Sequence, residues 1–184
     1  MREKSRNRPS QPTTHKSRLT THAVSGNAFE RKICKPEDLT ARVAGLKRPL
    51  VFTNGVFDLL HRGHVTYLAQ ARALGASLLV AVNSDASARG LGKGAGRPLN
   101  ALQDRLAVLA ALEAVTLVTW FEEETPLGLI FAVKPEVLVK GGDWTPGTIV
   151  GAKEVKSWGG VVHSVPLLQG RSTTSLIKRI RRKT

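Results

Sequence analysis

Residues 50–75 read LVFTNGVFDLLHRGHVTYLAQARALG, and the change of period inside this stretch decides the fold. Leu50–Thr53 is a short apolar and β-branched run, the composition of a strand buried on both faces. From about residue 63 the apolar side chains take helical spacing, until Gly75 ends the run. A strand that passes through a loop into a helix is the opening half of a βαβ unit.

Outward from there the pattern repeats. Further strand-like runs lie at Leu78–Val82, Thr116–Phe121, Val137–Val139 and Val161–Val165. Helical stretches separate them at about 63–75, 100–114, 126–134 and 150–158, with a last one at about 173–182. The helix at 100–114 has a readable start, with Asn100 as N-cap and Gln103 three residues on, then Leu102, Leu106, Leu109 and Ala110 facing inward. Residues 36–47 suit a short entry helix. Near-continuous apolar strands alternating with helices predict an α/β fold, a single doubly wound five-stranded parallel sheet. Residues 1–27, rich in Arg, Ser, Thr, Pro and Gln, hold too few apolar side chains to offset their ordering entropy and read as a disordered tail before a domain at 28–184.

In open parallel sheets, ligands bind beyond the carboxyl ends of the strands. The first such loop, Thr53–His64, ends in His-Arg-Gly-His at a helix entry, where unpaired N–H groups favour anions. Gly63 permits close backbone approach, and the imidazoles of His61 and His64 can donate to phosphate oxygens, giving a phosphate site without a Walker lysine. Two other readings stay open here: zinc ligation with Asp58 as third ligand, and surface histidines without a task. The glycine loop Gly90–Gly96 fails as a Walker A motif because Lys93 is followed by Gly94. It reads as a flap bringing Lys93 onto phosphate and ending at Arg97, or as a plain linker. Lys140-Gly-Gly-Asp143 again combines close approach with a cation. Arg171-Ser-Thr-Thr174 puts hydroxyls at a helix start, as a phosphate cradle or a simple cap.

The segments TNGVFDLLHRGHVTYLAQAR (53–72), VAVNSDAS (80–87), GRPLN (96–100), DRLAVLAALEAV (104–115), LVKGGDW (138–144) and GRSTTSLIKRI (170–180) together resemble the HxGH nucleotidyltransferase superfamily. Within it they are most like the adenylyltransferases acting on D-glycero-D-manno-heptose 1-phosphate in lipopolysaccharide inner-core synthesis. The resemblance implies a Rossmann-like nucleotidyltransferase fold, with ATP as substrate and Mg2+ carried on its phosphates. It assigns His61, His64 and Lys93 to catalysis. Thr53, Asn54, Gly55, Phe57, Gly63, Lys140, Gly141, Arg171, Ser172, Thr173 and Thr174 fall to the nucleotide. Asp58, Asn83, Asp85, Arg97, Arg105 and Asp143 fall to the sugar phosphate, Arg105 from the polar side of its helix. Asp58 also suits fixing its own turn, and Asp85 capping the one that follows it. Trp144 stands where relatives commonly have tyrosine, which keeps stacking and loses a hydroxyl. No dedicated protein metal site is implied. Many relatives fuse this domain behind a sugar kinase; with only 48 residues ahead of the match, the expectation is a stand-alone form supplied by a separate kinase, and a homodimer.

Composition narrows the alternatives. No run of about 18 apolar residues exists for a membrane span, and the first residues lack the apolar core of a secretory signal. The single Cys34 allows no internal disulfide, so the reducing cytoplasm is expected. The net charge of +14 divides into +8 over residues 1–48, +1 over 49–177 and +5 over 178–184. Charge confined to the ends argues for small-molecule partners over nucleic acid, which usually needs a basic face on the folded part. A cytidylyltransferase acting on a phosphorylated alcohol such as glycerol 3-phosphate, and a nucleic-acid-binding module using the basic tails, are the competing expectations.

Overall fold

The alternation of strands and helices is realised in a computed structural model that describes residues 27–92, 96–142, 144–166, 168 and 173–182. Five parallel strands form one sheet: β1 (Leu50–Gly55), β2 (Ser77–Asn83), β3 (Leu117–Phe121), β4 (Val137–Gly141) and β5 (Val161–Val165), in the order β3-β2-β1-β4-β5. The helices are α1 (Leu39–Ala44), α2 (Arg62–Arg72), α3 (Asp85–Gly90), α4 (Leu102–Ala110), α5 (Leu127–Val133), α6 (Ala152–Ser157) and α7 (Thr173–Arg181). The strand order reverses direction between β1 and β4, and the carboxyl ends of those two strands frame the switch point at which doubly wound folds bind ligands. No described helix is long and apolar enough to cross a membrane.

Period-two alternation along the central strands builds two cores. Leu50 and Phe52 of β1 join Leu79 and Ala81 of β2 against α1, α5 and α6, while Val51, Leu78, Val80 and Val82 point the other way onto α2 and α4. Because both faces of β1 and β2 are sealed, the open part of these strands is their ends.

Four expectations need correction. The helix expected at 36–47 is a single 3-10 turn, Pro36–Asp38, followed by the short α1. The segment after β2, read as a turn, is the short helix α3, capped by Ser84, whose hydroxyl accepts from Ser87 N. The cap of α4 is Ala101 and not Asn100; the Asn100 side chain instead donates to the Asp58 carbonyl, and Asp85 approaches Leu102 N at 3.4 Å from outside the helix. Arg105 does not face solvent: it is 1% exposed, on the same stripe as Leu106 and Leu109. The expected disorder of 1–27 falls outside the described residues, except at Asn27.

The amino ends of β1 and β4 are fastened by Glu136. Its carboxylate accepts from Leu50 N (2.7 Å) and from Arg48 Nη1 (2.7 Å), whose guanidinium also reaches the Lys134 and Val133 carbonyls. Partial burial opposes the charge, but these hydrogen bonds outweigh it and hold the Glu136 pKa below its ordinary 4.5. A depressed carboxylate pKa contributes stability that is present above 4.5 and lost as pH falls through the folded-state value. Glu136→Gln is therefore expected to lower stability at pH 7 and flatten its decline below about pH 4.5, as read by urea unfolding across pH.

Candidate active site

At the end of β1 the chain leaves the sheet at Asn54 and Gly55 and turns into α2, with His61 as N-cap in extended conformation. Three-residue spacing on the first turn brings the two imidazoles face to face, with centroids 4.0 Å apart and planes 23° apart. Phe57 meets His64 edge-on at 5.5 Å and holds a left-handed backbone (φ 50°). Its ring lies over Gly55, where a Cβ would come within 3.1 Å of it. Packing thus fixes a conformation that a bulky residue rarely adopts.

These rings line a cleft of about 790 Å³ at the carboxyl edge of the sheet. One wall is built on α2 and the start of α7. Thr173 and Thr174 line it, and the Thr173 hydroxyl donates to the Leu59 carbonyl at 3.2 Å, so α7 begins beside the loop that leads into α2. Arg97 completes this wall. Asp58 accepts from Arg97 Nε (2.5 Å), Leu99 N (2.8 Å) and Asn100 N (3.0 Å), which fixes Arg97 at the cleft wall. The floor is Asn54, Asn83, Lys140 and Gly141 at the strand ends, with Lys140 Nζ 3.0 Å from Asn54 Oδ1. Trp144 folds over Gly142, whose φ of 117° suits only glycine, and its indole donates to the Gly141 carbonyl.

The opposite wall went unread in the sequence. It consists of Glu124, Thr125 and Pro126, ahead of α5, and Thr148–Val150, ahead of α6. The rule that ligands gather after strand ends would have found the first of these, directly beyond β3. Tyr67 was also missed. Its hydroxyl is hydrogen-bonded to Thr53 Oγ1 (2.5 Å) and donates to the Val139 carbonyl (3.2 Å), and burial pushes its pKa up to about 12, so it stays protonated.

Several candidates lie elsewhere than expected. Thr53 is fully buried beneath the floor and faces Tyr67, because residue 53 points into the α2 side of the sheet. Gly63 does stand at the helix entry expected for it, buried in the first turn of α2. Asp85 and Arg105 do not line the cleft; they pair at 2.6 Å behind it. Arg105 also donates to the carbonyls of Val56 (2.7 Å), Asn83 (2.9 Å) and Asn100 (3.1 Å), so it ties the β1 loop, the end of β2 and the start of α4 together. Lys93, Asp143, Arg171 and Ser172 lie outside the described residues. No three His, Cys, Asp or Glu side chains among the described residues converge as a metal site. The carboxylate that zinc would need beside the histidines, Asp58, is turned to Arg97 and two backbone amides.

A doubly wound sheet whose switch point carries a stacked imidazole pair, a lysine and a helix start has the anatomy of nucleotidyl transfer, and the chain belongs to the cytidylyltransferase-like family, whose model matches residues 52–181. It is 56% identical over 160 residues to the D-beta-D-heptose 1-phosphate adenylyltransferase of Bordetella bronchiseptica, covering 86% of this chain and 99% of that one. It is 48% identical over 177 residues to the Bifunctional protein HldE of Pseudomonas syringae pv. syringae, spanning 89% of this chain but 37% of the relative. Among solved structures, the lipopolysaccharide core biosynthesis protein of Thermoplasma volcanium GSS1 superposes with a TM-score of 0.53 at 30% identity, over 66% of this chain and 98% of that one.

Arg105→Met leaves Asp85 and three carbonyls without their donor, and is expected to destabilise the fold by about 3 kcal/mol in urea unfolding. A variant of unchanged stability with a raised KM would instead make Arg105 a ligand-binding residue.

Proposed function

We propose that the chain transfers AMP from ATP to D-glycero-D-manno-heptose 1-phosphate, giving ADP-heptose and pyrophosphate. The observation that carries this reading is the stacked His61–His64 pair at the α2 N-terminus, beside Lys140 at the β1–β4 switch point. The name of the Bordetella relative supports the choice of substrates.

A phosphate oxygen of the sugar phosphate attacks the α-phosphorus of ATP. A new P–O bond forms, the bond from that phosphorus to the oxygen bridging the β-phosphate breaks, and pyrophosphate leaves with the electron pair. Such transfers depend on positioning and on charges aimed at the oxygens where negative charge develops, with the entering and departing oxygens in line. His61 and His64 serve the α-phosphate and the departing pyrophosphate. The α7 start, with the hydroxyls of Thr173 and Thr174, continues the grip along the leaving group. Lys140 and Arg97, both lining the cleft, neutralise the remaining phosphate charge. Trp144, half-exposed on the β4 side, offers a stacking face for the base.

Magnesium fits as an ion carried by the nucleotide, where it would neutralise phosphate charge. Of the two described carboxylates lining the cleft, Asp58 already faces Arg97 and backbone amides, and Glu124 stands on the opposite wall. The sugar phosphate is the product of a phosphorylating reaction, so a sugar kinase acting in the same cytoplasmic sequence belongs to this reading, as does a homodimeric assembly.

The second reading, a cytidylyltransferase, draws on the description of the family model; the phosphate-handling residues would be shared. Pyrophosphate release with heptose 1-phosphate, measured in parallel with ATP and CTP, separates them, with ATP expected to be used and CTP not. His64→Ala is expected to reduce turnover at least about 100-fold while melting within a few degrees of the parent. Turnover that survives this change removes the phosphate role.

A further inference from the structure

Charge is distributed unevenly across the cleft. The α2 wall and the floor bring His61, His64, Arg97 and Lys140 together. Among the described residues lining the cleft, two carry carboxylates, Asp58 and Glu124. Asp58 is consumed by Arg97 and the amides of Leu99 and Asn100. Glu124 stands on the opposite wall, exposed and not tied to another described residue, between β3 and α5.

Its segment is held firmly even though its side chain is not. Ser84 N donates to the Phe121 carbonyl (2.9 Å), Ser87 Oγ donates to the Glu123 carbonyl (2.8 Å), and Asn83 Nδ2 donates to Ser87 Oγ (2.9 Å). Ile130 N donates to the Pro126 carbonyl and so fastens the start of α5. An acceptor-only side chain is thereby carried on a fixed stretch of backbone at the cleft wall, with Thr125 beside it and Asn83 on the adjoining floor. A carboxylate there repels phosphate and suits paired hydroxyls, as acidic side chains do at ribose hydroxyls in dinucleotide folds.

Resting on the reading above, in-line geometry assigns the walls. Pyrophosphate leaves toward α2 and α7, so the attacking oxygen enters from the opposite side, which is the wall carrying Glu124. Trp144 draws the nucleoside toward β4, at the other end of the floor from β3. We infer that Glu124 is a specificity-determining residue that accepts hydrogen bonds from adjacent hydroxyls of the acceptor sugar phosphate, selecting a polyhydroxylated phosphate over a bare one.

The test is steady-state kinetics of the full chain and its Glu124→Gln and Glu124→Ala variants, with ATP and heptose 1-phosphate varied in turn. Both variants should melt like the parent. The expected result is a KM for heptose 1-phosphate raised about tenfold or more, for a loss on the scale of one charged hydrogen bond, with the KM for ATP and kcat within about twofold. If the KM for ATP rises and that for the sugar phosphate does not, Glu124 holds the ribose and the inference is overturned. If neither moves, Glu124 is a solvated rim residue and the inference is equally overturned. A parent chain that releases no pyrophosphate from ATP with heptose 1-phosphate removes the functional reading itself, and this inference with it. Activity in the parent with unaltered variants removes the inference alone.

Discussion

Arg105 carries its charge into the interior because four acceptors from separate regions of the chain meet it there. Burying an ion costs several kcal/mol unless its protons are matched. Here Asp85, Val56, Asn83 and Asn100 each take one, all at 2.6–3.1 Å. Each bond to a charged group is worth about 1.5–3 kcal/mol, so the set offsets the burial only while all four segments stay in place. The exit of β1, the end of β2, the start of α3 and the start of α4 are thereby fixed relative to one another. Every cleft residue on the β1 and β2 side inherits that fixity.

From this follows a division of labour between buried and lining charges. Asp85 and Arg105 lie behind the cleft and hold its frame; Asp58 does the same nearer the ligand, pinning Arg97. The other charged or basic groups that line the cleft are the imidazoles, Lys140, Arg97 and, across the gap, Glu124. A site that must stabilise developing phosphate charge without reorganising gains from such support, because it fixes the backbone from which the lining groups project.

The strands were legible because each is a short run dominated by apolar and β-branched side chains. Burial on both faces leaves few polar positions in β1 and β2, and the half-exposed edge strand β5 was legible from its valines. The His61–His64 pair was legible because its spacing survives any detail of packing. Other features depend on partners remote in sequence. Arg105 shares the stripe of Leu106 and Leu109, yet a charge at that position reads as solvent-facing until its acceptors are known. Asn100 has the chemistry of a cap, but the Asp58 carbonyl, 42 residues away, takes its side chain. The α3 helix is six residues without an apolar stripe, below the length at which periodicity speaks. Glu124 lies in an acidic run that resembles any solvated loop, and only the path from β3 into α5 turns it toward the cleft.

The central claim is that the two walls of the cleft have different tasks, the α2 side gripping the departing phosphates and the α5 side receiving the acceptor. The most direct test is a crystal structure of the chain with a non-hydrolysable ATP analogue. The account predicts β- and γ-phosphate oxygens within about 3 Å of the His61 and His64 nitrogens, the base on the β4 side near Trp144, and open space before Glu124. Imidazoles turned away from the phosphates, or a triphosphate lying along residues 124–126, would contradict it.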